Sequence, residues 1–215
     1  MPVKVKICGL NSPAAVAAAA GGGASHAGFV FYPPSPRALT PHAAGALARG
    51  VPEGIVKVGL FVDADDEAIA AVLQEVPLDL LQLQGDETPR RLKDIRRRFG
   101  LPVMKALRIA SAEDVAAADE YPPAVDWLLF DAKPPAAMKG ALPGGNALSF
   151  DWKLLAGRRW TKPWMLSGGL NAGNLAAAVA ATRAAHVDVS SGVEDAPGRK
   201  SPEKISAFLK LAATL

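Results

Sequence analysis

Two proton-active side chains stand at the ends of apolar, β-prone runs. Cys8, the sole cysteine, closes Val3-Lys4-Val5-Lys6-Ile7, and Asp131 closes Trp127-Leu128-Leu129-Phe130. In parallel α/β sheets and barrels the carboxyl tips of strands carry ligands and chemistry, whereas the strand bodies pack. A thiol and a carboxyl on one rim make a candidate base and a candidate acid. Taken singly, each has a plainer reading. A lone Cys is commonly a small buried hydrophobe, and an Asp after a strand commonly caps a helix or orders a loop. It is the pairing on one rim that points to catalysis.

Alternation along a strand puts Lys4, Lys6 and Cys8 on one face and Val3, Val5 and Ile7 on the other. The apolar face should meet helices, so Lys6 and Cys8 should point inward, with Lys6 one layer below. In a later run, Asp188 and Ser190 have the opposite parity to Val187 and Val189. An interior Lys is costly unless paired, so Lys6 is expected to meet an interior carboxylate, Asp188 or Asp131. Its ammonium is then expected to lower the Cys8 pKa enough to make the thiolate a usable base.

Eight such runs begin near Val3, Gly28, Ile55, Leu80, Val103, Trp127, Trp164 and His186, spaced 22 to 27 residues apart except for one gap of 37. Between and after them lie helical stretches: Pro13 to Ala20, Pro41 to Arg49, Asp66 to Glu75, Pro89 to Phe99, Ala112 to Glu120, Asp151 to Leu155, Gly173 to Thr182 and Pro202 to Leu215. Proline at several of their starts suits the first helical turn, where no N–H is needed. Strand then helix, eight times, implies an α/β fold, a single (β/α)8 TIM barrel over residues 1–215. An open doubly wound sheet is the alternative, because periodicity does not show closure. The long gap, Ala132 to Phe150, is rich in Pro and Gly and directly follows Asp131. It reads as a lid over the active rim, or else as a plain excursion.

The seventh and eighth runs lead into Leu166-Ser167-Gly168-Gly169-Leu170-Asn171 and Asp188-Val189-Ser190-Ser191-Gly192-Val193. Small-residue turns after strands seven and eight are where such barrels often bind phosphate, since glycine lets backbone N–H groups crowd an anion. Gly168, Gly169, Asp188, Ser190, Ser191 and Gly192 are therefore candidate substrate contacts. The loop Gly28 to Arg37 ends in a guanidinium suited to a carboxylate, although an exposed solubilising Arg fits the sequence equally well.

Composition narrows the class. Hydrophobic residues make up 50% and charged residues 21% of 215, and no apolar run approaches the roughly 20 residues that span a bilayer. The start MPVKVKICGL does not read as a signal peptide, and one Cys makes no internal disulfide, so a cytoplasmic protein without a membrane partner is expected. Net charge is +3, and the basic stretch from Arg90 to Arg98 lacks interleaved aromatics, which reads as a solvated helix face rather than a nucleic-acid patch. His26 and His186 fall at amino ends of strands and His42 begins a helix, so no metal site and no cofactor are expected. Oligomeric state, monomer or homodimer, is left open.

At these residues the chain resembles the phosphoribosylanthranilate isomerases of tryptophan biosynthesis. The likeness is carried by Lys6-Ile7-Cys8-Gly9, Gly28 to Leu39, Leu129-Phe130-Asp131, Phe150-Asp151-Trp152, Leu166 to Leu170 and Val187 to Glu194. The resemblance implies a cofactor-free Amadori rearrangement of a phosphorylated small-molecule substrate. It further implies Cys8 as general base, Asp131 as general acid, Arg37 as ligand of the anthranilate carboxylate, and the glycine and serine turns as the phosphate grip. Asp131 would then need a raised pKa. Two strings depart from the family pattern: Gln82-Leu83-Gln84-Gly85, where His is common at the third place, and Gly144-Gly145-Asn146-Ala147, where Gly-Gly-Thr-Gly is usual. A metal-dependent pentose-phosphate epimerase and a non-catalytic barrel that senses a phosphorylated ligand are the competing readings.

Overall fold

A computed structural model describes residues 2–135, 137–138 and 140–215. Residues 136 and 139, inside the expected lid, lie outside the described residues. Eight parallel strands close into a barrel in chain order: β1 (Lys4–Cys8), β2 (His26–Val30), β3 (Val56–Phe61), β4 (Leu80–Leu83), β5 (Val103–Ile109), β6 (Trp127–Ala132), β7 (Trp164–Leu166) and β8 (His186–Val189), with β8 pairing back to β1. The closed barrel, rather than an open sheet, is thus the architecture.

Among the described residues seven α-helices pack outside: α1 (Pro13–Gly21), α2 (Pro41–Arg49), α3 (Asp66–Glu75), α4 (Pro89–Phe99), α5 (Ala112–Ala117), α6 (Leu175–Thr182) and α7 (Pro202–Ala212). Their starts follow from local chemistry. Proline opens α1, α2, α4 and α7, and Ser12, Thr40, Thr88 and Ser201 each accept a hydrogen bond from a first-turn N–H. The stretch from Asp151 to Leu155 is not an α-helix but a 3-10 turn, Trp152–Leu155, because so few residues cannot nucleate an α-helix and Gly157 turns the chain at φ +72°. The stretch expected to reach Glu120 leaves α-geometry at Ala117 and tightens into a 3-10 turn before Pro122 and Pro123. A small hairpin after β8, β9 (Glu194–Ala196) and β10 (Arg199–Lys200), was not legible in the sequence.

Parity holds along β1. Val3, Val5 and Ile7 join the core between strands and helices, while Lys6 faces inward and is wholly buried. Inside the barrel, His26, Trp127 and His186 meet edge to face at the amino end, at 4.9 to 6.5 Å. Above them Val58, Leu80, Met104, Leu129 and Met165 form an apolar layer. The chemical residues sit above that floor. Register sets Lys6 beside Asp188, and Cys8 beside Gly28. A methyl at Gly28 would lie 3.2 Å from Lys6 Nζ, so this glycine leaves the lysine its space.

Candidate active site

Cys8 and Asp131 line one pocket at the carboxyl mouth of the barrel. Asp131, at the tip of β6, is 7% exposed. Its Oδ1 accepts from the Ala132 N–H at 2.8 Å and its Oδ2 from Gln84 Nε2 at 3.1 Å. Burial, with the nearby Asp188 charge, pushes its pKa up to about 7, against the pull of those two donors and of Lys6. A carboxyl that keeps its proton near neutral pH is a usable acid.

Lys6 Nζ donates to Asp188 Oδ1 at 2.8 Å, and Ser167 Oγ donates to Asp188 Oδ2 at 3.1 Å. Of the two carboxylates considered for Lys6, Asp188 is the partner. Burial works against the ammonium, but Asp188 and Cys8 together outweigh it and hold Lys6 above its ordinary range. The expected pull of Lys6 on the thiol is present but does not prevail. Burial raises the Cys8 pKa, and Asp188 adds to the rise, beyond what Lys6 and Lys200 take back. The ammonium does favour thiolate, but its pull is smaller than the cost of burial, so the net shift of the thiol is upward.

Arg37 is neither exposed nor free. At 4% exposure it gives Nε and Nη2 to the two oxygens of Glu194, at 2.8 and 2.9 Å, and Nη2 also donates to the Gly145 carbonyl at 3.2 Å. Glu194 receives Lys200 Nζ at 2.5 Å as well. Burial would raise the Glu194 carboxyl, yet Arg37 and Lys200 hold it below the usual range. The same lysine reaches the Ser190 carbonyl at 3.0 Å, so one buried cluster joins Arg37 to the turn after β8. Sequence reasoning missed Glu194 and Lys200 as site residues; the available signal was a Glu two residues after the serine–glycine turn.

Gly168, Gly169, Asp188, Ser190 and Ser191 line the pocket with Arg37. Gly168 and Gly169 have φ of +90° and +62°, a conformation that favours glycine. Gly192 stands behind the wall: a methyl there would lie 1.9 Å from the Leu170 carbonyl oxygen, so the two turns interlock. Across the mouth, residues 142–148 of the expected lid cover the pocket. Asn146 closes this loop by bonding both the N–H and the carbonyl of Leu142, at 3.1 and 2.6 Å, and Ala147 adopts φ +57°. Among the described residues no group of three or more His, Cys, Asp or Glu could hold a metal ion, and no helix is long and apolar enough to cross a membrane.

A buried acid and thiol inside a closed parallel barrel, walled by glycine and serine turns, define a (β/α)8 acid–base enzyme for a small anionic substrate. Residues 5–211 match the family model of N-(5'-phosphoribosyl)anthranilate (PRA) isomerase. The N-(5'-phosphoribosyl)anthranilate isomerase of Rhodospirillum centenum is 59% identical over 215 residues, covering 100% of both chains. The phosphoribosyl anthranilate isomerase structure from Thermotoga maritima superposes with a TM-score of 0.88 at 35% identity, over 99% of this chain and 100% of that one. A structure of a phosphoribosyl anthranilate isomerase in complex with reduced 1-(o-carboxyphenylamino)-1-deoxyribulose 5-phosphate has a TM-score of 0.83 at 33% identity over 99% of this chain and 100% of its own. The chain belongs to the phosphoribosylanthranilate isomerase family.

Proposed function

We infer that this chain converts N-(5'-phosphoribosyl)anthranilate to 1-(2-carboxyphenylamino)-1-deoxyribulose 5-phosphate, the Amadori rearrangement of tryptophan biosynthesis, by general acid–base catalysis. The observation that carries this reading is a buried carboxyl titrating near 7 in the same pocket as the chain's one thiol. Asp131 gives its proton to the furanose ring oxygen as the C1–O bond breaks, and the nitrogen lone pair forms the C1 iminium. Cys8 then takes the proton from C2, and those electrons neutralise the iminium to give an enolamine. Protonation at C1 and loss of the C2 hydroxyl proton yield the ketone. The iminium brings positive charge over Cys8, which favours thiolate at the step that needs it.

Gly168, Gly169, Ser190 and Ser191 take the phosphate, with Gly192 holding the second turn in place. Asp188 sits beneath that end and keeps Lys6 paired. Arg37, fixed by Glu194, turns its remaining Nη1 edge to the anthranilate carboxylate beneath Gly145. The test is turnover: Cys8→Ser and Asp131→Asn should each lower kcat by at least about a hundredfold, the scale of a positioned acid or base, while a product analogue still binds. Full turnover in both variants would overturn the assignment.

A further inference from the structure

Two buried glutamines on β4 and just beyond its tip form a chain that ends on the acid. Gln82 is 1% exposed and Gln84 3%. Gln82 Nε2 donates to Gln84 Oε1 at 2.7 Å, and Gln84 Nε2 donates both to Asp131 Oδ2 at 3.1 Å and to the Pro143 carbonyl at 3.3 Å. The direction of this chain follows from chemistry. The Pro143 carbonyl can only accept, so Gln84 must turn its amide nitrogen to it, and with it to Asp131, and its oxygen to Gln82. Gln82 must then present its own nitrogen, and its Oε1 has no donor among the described residues. Both amide nitrogens therefore face the Asp131 end of the chain.

The lid lies directly on this chain. A methyl at Gly144 would lie 2.7 Å from Asp131 Oδ2 and 2.7 Å from Gln84 Nε2, so the loop backbone touches the acid and its donor together. We propose that Gln84 is a positioning residue for Asp131, that Gln82 orients it, and that the shared Gln84 amide ties the acid to the lid through the Pro143 carbonyl. The proposal rests on Asp131 acting as the acid. Its function is to set the direction of the Oδ2 lone pairs, and hence of the proton, only when the loop is seated. The other charges bearing on Asp131 are Asp188 on β8 and Lys6 on β1, which pair with each other, and Arg108, its register partner on β5, which turns to Asp86.

The experiment follows the Asp131 carboxyl by carbon-13 NMR titration, assigned by its loss in Asp131→Asn, alongside kcat and KM. Gln84→Met keeps the bulk and removes the donor. Its Asp131 titration should move up by about one pH unit, as expected for losing a hydrogen bond to an ionised group. Its kcat should fall about tenfold with KM changed less than about threefold, since the lost contact bears on the reacting proton. Gln84→His keeps a ring N–H and should restore most of both. Gln82→Met should shift the titration in the same direction by less, and the double variant should be no worse than Gln84→Met, because both act through one bond. An Asp131 titration unmoved in Gln84→Met overturns the proposal, as does full additivity in the double variant. A moved titration with unchanged kcat keeps the tie and removes Asp131 from the acid role instead.

Discussion

Replacing Asp131 with Asn should stabilise the fold at pH 8 relative to pH 5 while abolishing turnover. In the folded protein this carboxyl titrates near 7, against an ordinary 3.8, because burial disfavours its charge. Between those values the folded state holds a proton that the unfolded chain has released, so stability falls as pH rises. At about 1.4 kcal/mol per pH unit of difference, the penalty is about 4 kcal/mol at pH 8 and about 2 kcal/mol at pH 5. His26 acts the other way: burial holds its pKa at about 3, so it weakens the fold as pH falls below about 6.5 and partly masks Asp131 in the wild type. The difference between variant and wild type removes that masking. Asn also turns an N–H toward one of the two donors that now serve Asp131, at a cost independent of pH. Urea unfolding of both proteins at pH 5 and 8 should therefore show the stability difference moving in favour of Asn by about 2.5 kcal/mol between the two pH values. An offset equal at both values, within about 0.5 kcal/mol, would refute the claim that burial holds the proton on Asp131.

Lys6→Met should cost about 3 to 5 kcal/mol, because it strands the Asp188 carboxylate inside the barrel, and Lys6→Met with Asp188→Leu should recover most of that loss in the same unfolding assay. In the Lys6→Met single variant the thiolate absorbance of Cys8 should appear at higher pH than in the wild type, since the ammonium is the largest influence opposing the burial of the thiol; an unchanged thiol titration removes Lys6 from the electrostatics of the base. Gly192→Ala should raise KM by at least about tenfold with a smaller effect on kcat, because the added methyl must push the turn after β8 away from the Leu170 carbonyl and spread the phosphate end. Steady-state kinetics with unchanged KM would refute the interlock of the two turns.

Much of this architecture was legible because strand tips and parity are local properties. The eight apolar runs marked the strands, and the alternation of Lys6 and Cys8 against Val5 and Ile7 put the right side chains indoors. The Lys6 to Asp188 pairing could be anticipated, since a buried ammonium demands an anion and few were of the right parity. The direction of the Cys8 shift could not, because it depends on how completely the thiol loses water and on the Asp188 charge that adds to the rise. Glu194, Lys200 and Gln84 were opaque for a related reason. Arg37 meets a carboxylate 157 residues away and Gln84 meets an acid 47 residues away, and neither distance leaves a trace in local periodicity. The turn at Trp152–Leu155 shows the converse: a helical-looking stretch too short to be one.

The pairing of β1 with β8 carries a consequence for assembly. Lys6 and Asp188 are 182 positions apart, so β1 cannot complete its pair of neighbours until β8 has been synthesised and has emerged. Until then an ammonium and a thiol meant for a dry interior stay hydrated, and a partial cylinder exposes two raw sheet edges that invite association with other nascent chains. Ring closure thus waits on the most distant pairing of the cylinder, the same closure that sets the thiol of β1 and the acid of β6 on one mouth.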